Sequence, residues 1–327
     1  MKQKIESLNK LKRSLLDLLE DSDFLQQVYA SNNWFTPSLV KMSVQNICDE
    51  FLDEAKLTAW LSQYNFQSTQ KETIGLILAG NVPLVGFQDI LCVYFSPHDL
   101  KLKLSSKDTI LTKKVVELWC DIDADWSNRI EIVSIVKDID KIIATGSNNS
   151  NQYFEFYFKK YRNILRRNRT SVAIVPKDIS DEELNGLVDD IFLFYGLGCR
   201  NISKLYLEEG FNKDRLFEVS EKYSEYFNHQ KYMNNYDYQR TLLLLNTVEH
   251  FSNNFLILRE NPALFTAISV VHYEWFTDIN KVKEILDASK EDIQCVVGRD
   301  EISFGNAQKP TLTDYPDHID VMEFLVK

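Results

Sequence analysis

Ile74-Gly75-Leu76-Ile77-Leu78-Ala79-Gly80-Asn81-Val82-Pro83 is a short continuous apolar run that ends in glycine, asparagine and proline. A run of that length closed by turn residues predicts a buried strand breaking into a turn. A helix through Phe87, Ile90 and Leu91 is expected next. The alternation then repeats, with strand candidates at Leu100 to Leu104, Ile130 to Val136 and Ile142 to Ala144 and a helical stretch around Val115 to Trp119. Strands alternating with helices at this spacing predict a parallel, doubly wound α/β sheet. Ligands of such sheets sit at the carboxyl ends of the strands, so Gly80-Asn81, Lys103 to Lys107 and Thr145-Gly146-Ser147 are the candidate binding segments. No GxGxxG occurs, so the ordinary dinucleotide fingerprint is absent.

Towards the N-terminus, residues 1 to about 70 carry apolar positions at helical period, first Leu8, Leu11, Leu15, Leu18 and Leu19, then Val40, Val44, Ile47 and Phe51. This is a helical lead-in. After Arg169 a strand is expected over Ser171 to Val175. A helix follows it, opened by Ser180 with Glu183 three residues on, the capping-box pattern, and running through Leu187 and Ile191. Further strands are expected at Lys204 to Leu207, Phe255 to Leu258, Ile268 to His272 and Ile293 to Val297, with a helix over Tyr238 to Thr247, which makes a second α/β unit. The tail from Gly305 is read as returning to the first domain or packing on a partner chain. The expected domains are 1-165, 166-304 and a C-terminal segment 305-327, with no internal repeat or obvious linker between them.

With 327 residues and 44% hydrophobic content, the chain can fill two large cores. A net charge of -11 argues against a nucleic-acid partner; runs such as Lys159-Lys160 and Arg166-Arg167-Asn168-Arg169 could still hold phosphates, but most such runs are solvated faces. Five cysteines (Cys48, Cys92, Cys120, Cys199, Cys295), odd in number and without a CxxC pair, imply a reducing compartment and no cysteine-type metal site. The amphipathic start and the lack of a long apolar run imply a cytoplasmic protein without membrane insertion.

The chemistry-bearing stretch is Phe194-Tyr195-Gly196-Leu197-Gly198-Cys199-Arg200-Asn201. A cation or a helix dipole beside a thiol populates the reactive thiolate, and Arg200 stands next to Cys199. Gly196 and Gly198 permit positive φ and remove bulk ahead of the sulfur, which lets a carbonyl approach. The competing reading is one more small buried residue, the usual fate of a cysteine in a reducing compartment. The other four cysteines sit in apolar patterns and read as structural. The five histidines occur singly, and no neighbour in sequence marks one as the partner of Cys199.

Four landmarks occur in order: Ile77-Leu78-Ala79-Gly80-Asn81-Val82-Pro83-Leu84, Lys101-Leu102-Lys103-Leu104-Ser105-Ser106-Lys107-Asp108, Ala144-Thr145-Gly146-Ser147 and Gly198-Cys199. Together they resemble the aldehyde dehydrogenase superfamily, and within it the LuxC-type acyl-CoA reductases (fatty acid reductases), over roughly residues 30 to 327. The resemblance implies an aldehyde-dehydrogenase-like fold of two doubly wound α/β domains behind the helical lead-in. It implies that Cys199 is the nucleophile and that Asn81 donates to the oxyanion, a role suited to a fixed neutral N–H. Lys103 then meets the adenosine ribose, and Thr145, Gly146 and Ser147 form the turn before a helix near the cofactor phosphates.

Two departures from the superfamily pattern sharpen the expectation. The Glu-Leu-Gly-Gly segment whose glutamate activates water in the acid-forming dehydrogenases is replaced by Asn163-Ile164-Leu165-Arg166-Arg167-Asn168-Arg169. A reductase from thioester to aldehyde needs no hydrolytic water. The position that often carries a NAD-selecting glutamate is Ser106, flanked by Ser105 and Lys107, and two hydroxyls with an ammonium suit a 2′-phosphate. Asp108 is left open between capping the next helix and turning to the ribose. The implied activity is reduction of a fatty acyl thioester, from CoA or a carrier protein, to the aldehyde, with NADPH as cofactor, no metal and a possible homo-oligomer. The alternatives are an acyl-phosphate reductase of the γ-glutamyl-phosphate reductase type and a catalytically silent binding or assembly subunit.

Overall fold

The computed structural model describes residues 1–66, 70–146 and 148–327, with 148–151 given by their backbone. Two compact units result, Met1–Asn168 with Lys309–Lys327 and Arg169–Gln308.

The first unit begins with four helices, α1 (Lys2–Leu18), α2 (Ser22–Ser31), α3 (Pro37–Asn46) and α4 (Glu54–Leu61). Their starts are written in the sequence: Asp21, Thr36 and Asp53 each accept a hydrogen bond from a backbone N–H of the following first turn, and Pro37 opens α3. The buried stripe of α1 is Ile5, Leu8, Leu11, Leu15 and Leu18, and it enters one core with Trp60, Trp119 and Trp126.

The sheet of this unit comprises β1 (Thr73–Ile77), β2 (Asp99–Lys103), β3 (Ile130–Ile132), β4 (Lys141–Thr145) and β5 (Arg162–Arg166), interleaved with α5 (Phe87–Phe95), α6 (Thr109–Ile122), α7 (Ala124–Ser127) and α8 (Asn148–Phe158). Its order is β3-β2-β1-β4-β5, and every neighbouring pair is parallel. The strand order reverses between β1 and β4, the place where doubly wound sheets bind ligands. Both faces are covered. Ile74 and Leu76 enter the large core, while on the other face Gly75 lets Val136 and Ile142 lie where a Cβ would stand, 2.6 Å and 2.9 Å away.

Two expectations change here. The strand expected over Ile130 to Val136 stops at Ile132: β3 is an edge strand, Ile135 beyond it is 70% exposed, and Val136 packs over Gly75 on the sheet face instead of extending the strand. The stretch read as basic and solvated contains β5, whose Ile164 and Arg166 are buried.

The second unit holds β6 (Thr170–Val175), α9 (Asp181–Phe192), β7 (Ile202–Glu208), α10 (Lys213–Ser220), α11 (Gln230–Leu245), β8 (Phe251–Ser252), β9 (Ile257–Glu260), β10 (Val270–Phe276), α12 (Ile279–Ala288) and β11 (Ile293–Val297). Their order is β11-β6-β7-β10-β9-β8, parallel except for β8 against β9. The expected capping box is present: Ser180 Oγ accepts from Glu183 N and Glu183 accepts from Ser180 N. Two strands start later than the apolar runs. Asn253 Oδ1 accepts from both Phe255 N and Leu256 N, which withholds those donors from the sheet until Ile257. Ser269, at φ 71, breaks the run before Val270.

Residues 309–327 lie in the first unit, where Tyr315 Oη accepts from Trp60 Nε1 at 2.8 Å and Gln88 Nε2 donates to Leu312 O at 2.9 Å. Val321, Met322 and Leu325 of the C-terminal helix complete the large core.

Candidate active site

In the first unit the carboxyl ends of β1 and β2 are tied together. Leu78 N donates to Lys103 O at 3.1 Å. A Cβ on Gly80 would stand 2.4 Å from Ser105 Oγ, so only glycine lets the two turns touch. Asn81 follows, half-buried. Ser43 Oγ donates to Pro83 O at 2.7 Å from the helical lead-in. Leu84 is left-handed, at φ 55, and its N–H donates to Asp108 Oδ2 at 2.8 Å. Burial pushes the Asp108 carboxyl up to about 7.

That contact resolves the orientation of Asp108, which turns inward to the β1–α5 turn. Around it, Ser105 Oγ accepts from Lys107 N at 3.3 Å and Ser105 O accepts from Asp108 N at 3.1 Å. Ser106 and Lys107 are exposed, and Lys103 and Ser105 are half-buried. On the other flank Ile77 pairs with Ala144, so the residues that follow, Leu78 and Thr145, leave the same edge of the sheet. Thr145 and Gly146 are half-buried and α8 begins at Asn148, while Ser147 lies outside the described residues.

The sequence reading missed a pair of charges at this edge. Arg166, the last residue of β5, places Nη1 and Nη2 at 2.6 Å and 2.8 Å from the two carboxylate oxygens of Asp89 on α5. Both side chains are buried, and Arg166 Nη1 also reaches Thr145 Oγ1 at 3.4 Å. The one available signal was an aspartate inside the apolar helix Phe87-Gln88-Asp89-Ile90-Leu91, whose burial requires a partner.

In the second unit Cys199 is half-buried on the turn between a short 3₁₀ turn at Leu193–Gly196 and β7. β7 follows it, so Cys199 does not itself open a helix. Arg200 is turned to the Ala307 carbonyl through Nε. The approach to Cys199 is a left-handed turn at Phe194 (φ 54), Tyr195 (φ 57) and Gly196 (φ 72). Two non-glycine residues in that region cost on the order of 1–3 kcal/mol each and persist only where surroundings impose them. Here the Tyr195 ring packs on Tyr226 and His229 at centroid distances of 4.2 Å and 4.4 Å.

Asn201 fixes the loop from the other side. Its Nδ2 donates to the carbonyls of Asp190 (3.1 Å), Ile191 (3.3 Å) and Leu193 (2.7 Å), and its Oδ1 accepts from Gly198 N at 2.8 Å. Ser171 Oγ donates to Cys199 O at 2.9 Å. The buried Asp190 carboxylate accepts from Gly305 N at 2.7 Å and Ala307 N at 2.9 Å. Gly186 and Gly305 meet so closely that a Cβ on Gly186 would lie 2.7 Å from the Phe304 backbone. The sulfur therefore rides on a loop whose backbone is held at both ends.

Cys48, Cys92, Cys120, His98 and His272 are engaged in packing. Burial pushes Cys48 up to about 12 and Cys92 and Cys120 above the ordinary thiol range, which keeps them protonated. His98 Nδ1 accepts from Glu72 N and its Nε2 lies 2.7 Å from Leu325 O, while His272 Nδ1 lies 2.8 Å from Ala263 O; burial lowers both below the ordinary histidine value. Among the described residues no group of His, Cys, Asp and Glu is placed to hold a metal ion, and no helix is long and apolar enough to cross a membrane.

No family model matches the chain. The long-chain acyl-protein thioester reductase 2 of Photobacterium leiognathi is 28% identical over 148 residues, 40% of this chain and 30% of that protein, so the match spans under a third of the relative's length. Among solved structures, aldehyde dehydrogenase 21 from Physcomitrella patens superposes with a TM-score of 0.66 at 12% identity, covering 91% of this chain and 73% of that one. The NAD-dependent aldehyde dehydrogenase from Sinorhizobium meliloti gives a TM-score of 0.67 at 12% identity, covering 90% and 69%. The chain has the aldehyde dehydrogenase fold, and in sequence it resembles the LuxC-type long-chain acyl-protein thioester reductases.

Proposed function

We propose that the chain is a nicotinamide-dependent reductase that converts a fatty acyl thioester to the aldehyde through an acyl-Cys199 intermediate, with NADPH as its cofactor. The observation that carries this reading is the end of β5. The superfamily's water-activating glutamate belongs to that stretch, and here residues 162–169 contain no carboxylate, while Arg166 is folded into the buried pair with Asp89. An acyl-enzyme that no base helps water to attack persists until it is reduced.

Cys199 attacks the thioester carbonyl carbon, forming the new C–S bond as the donor's C–S bond breaks and its thiolate leaves to take up a proton. Asn81 and the Cys199 N–H stabilise the negative oxygen of each tetrahedral species. The nicotinamide, when bound, supplies the hydride that takes the acyl carbon to the aldehyde level. Release of the aldehyde restores the Cys199 thiolate. The donor set suits the nucleotide: Lys103, Ser105, Ser106 and Lys107 stand at the carboxyl end of β2 with the carboxylate that follows them, Asp108, turned inward, and Thr145-Gly146 leads into α8. Ammonium and hydroxyl groups without an exposed carboxylate favour a 2′-phosphate over a 2′-hydroxyl.

The test is mass spectrometry of the intact protein after incubation with a long-chain acyl-CoA alone, followed by addition of NADPH. A mass increase of one acyl group on Cys199, lost on NADPH addition with release of aldehyde, is expected. Cys199→Ala is expected to abolish the adduct and to retain NADPH binding. An adduct only with an acyl phosphate, or none with any activated acyl donor, overturns the thioester reading.

A further inference from the structure

The Asp108 carboxylate joins two of the candidate segments of the first unit. It lies at the start of α6, directly after Ser105-Ser106-Lys107, and is 4% exposed. Its Oδ2 takes the N–H of Leu84, three residues beyond Asn81. Leu78, Leu84, Val115, Val116 and Trp119 line the same small cavity, with the Thr112 hydroxyl as the polar neighbour on α6. A carboxylate placed there loses hydration, which a purely scaffolding position would avoid with an apolar residue.

The bond it makes explains its retention. Leu84 sits at φ 55, a region that costs a branched residue on the order of 1–3 kcal/mol and that glycine would occupy freely. A carboxyl oxygen held as acceptor for its N–H offsets part of that cost. We infer that Asp108 is a positioning residue for the Asn81 turn, holding Leu84 left-handed so that the Asn81 amide stands where the acyl oxygen develops charge. Gly80 against Ser105 and Leu84 against Asp108 are two points at which the turn after β1 rests on the turn after β2. The inference rests on the oxyanion reading of Asn81 proposed above.

The experiment measures single-turnover acylation of Cys199 by a saturating acyl-CoA without cofactor, beside the melting temperature and NADPH binding by fluorescence. Asp108→Leu keeps the bulk and removes the acceptor; it is expected to melt near the unmodified protein, to bind NADPH normally and to acylate roughly 10–100-fold more slowly, the scale of a misplaced catalytic donor. Asp108→Asn, whose carboxamide oxygen still accepts from Leu84 N, is expected to acylate within a few-fold of the unmodified protein. Asp108→Thr, a good helix cap with a shorter reach, replaces Asp108→Leu if that variant does not fold, with the same expected loss. Added to Asn81→Ala, Asp108→Leu is expected to slow acylation no further, because it acts through the same amide. A folded Asp108→Leu or Asp108→Thr that acylates at the normal rate overturns the inference, as do losses that multiply in the double variant. Normal acylation by Asn81→Ala itself would instead remove the oxyanion reading beneath it.

Discussion

Asp89 and Arg166, 77 positions apart in the chain, meet in a two-pronged ion pair with both side chains withdrawn from water. Removing one partner strands the other charge in a low-dielectric interior. Asp89→Ala is therefore expected to cost about 3–5 kcal/mol of stability, read as a loss in the midpoint of urea unfolding. Asp89→Leu with Arg166→Met together is expected to cost much less than Asp89→Ala alone. A double variant as unstable as the single one would show that the pair is not what holds the edge of the sheet.

Lys107 is exposed, and its exchange reports on the nucleotide alone. Lys107→Glu is expected to weaken NADPH binding by about tenfold or more while leaving NADH within a few-fold, since a carboxylate repels a 2′-phosphate and accepts from a 2′-hydroxyl. Titration of both dinucleotides by fluorescence checks it. Equal losses for the two would place the phosphate elsewhere.

The pH dependence of stability follows from Asp108. Its folded pKa, raised by burial to about 7, lies above the unfolded value of 3.8, so the folded protein holds the proton more tightly. The stability this contributes is fully present below about pH 4 and is lost as pH rises through about 7. Asp108→Asn does not titrate. Its melting temperature relative to the unmodified protein is expected to improve between pH 5 and pH 8, and a difference independent of pH would contradict the burial of an ionisable group there.

Asn201 has four backbone partners within 3.3 Å. Asn201→Leu removes all four and leaves buried carbonyls unsatisfied, an expected loss of about 2–4 kcal/mol. The same variant is expected to slow alkylation of Cys199 less than it slows acylation, because a small reagent tolerates a misplaced sulfur. Comparison of iodoacetamide and acyl-CoA rates separates the two effects.

The parts of this fold that were legible in the sequence are those specified locally. β11 spans the expected Ile293 to Val297, and Ser180 with Glu183 marks the start of α9, because a capping box and an apolar run each carry their signal within a few residues. β5 was not legible. Arg162 and Arg166 bracket only two apolar residues, and nothing beside Arg166 shows that Asp89 neutralises it. The same holds in the candidate site. Asn81, Lys103 and Cys199 were marked by residue type and order, whereas the inward turn of Asp108 depends on Leu84, 24 positions away, and the hub at Asn201 on carbonyls 8 to 11 positions before it.

The chain leaves the first unit at Asn168 and returns to it at Lys309, with the second unit between. On the ribosome this imposes a schedule. The first 168 residues emerge with the hydroxyl that Trp60 and Tyr64 bond still unmade, and without Val321, Met322 and Leu325. Arg169–Gln308 emerges whole and can fold as a unit before that happens. The earlier-synthesised half therefore waits, with an apolar seam open, for residues translated after the whole second unit, and a ribosome stalled after Gln308 leaves a nascent chain whose first unit lacks Val321, Met322 and Leu325.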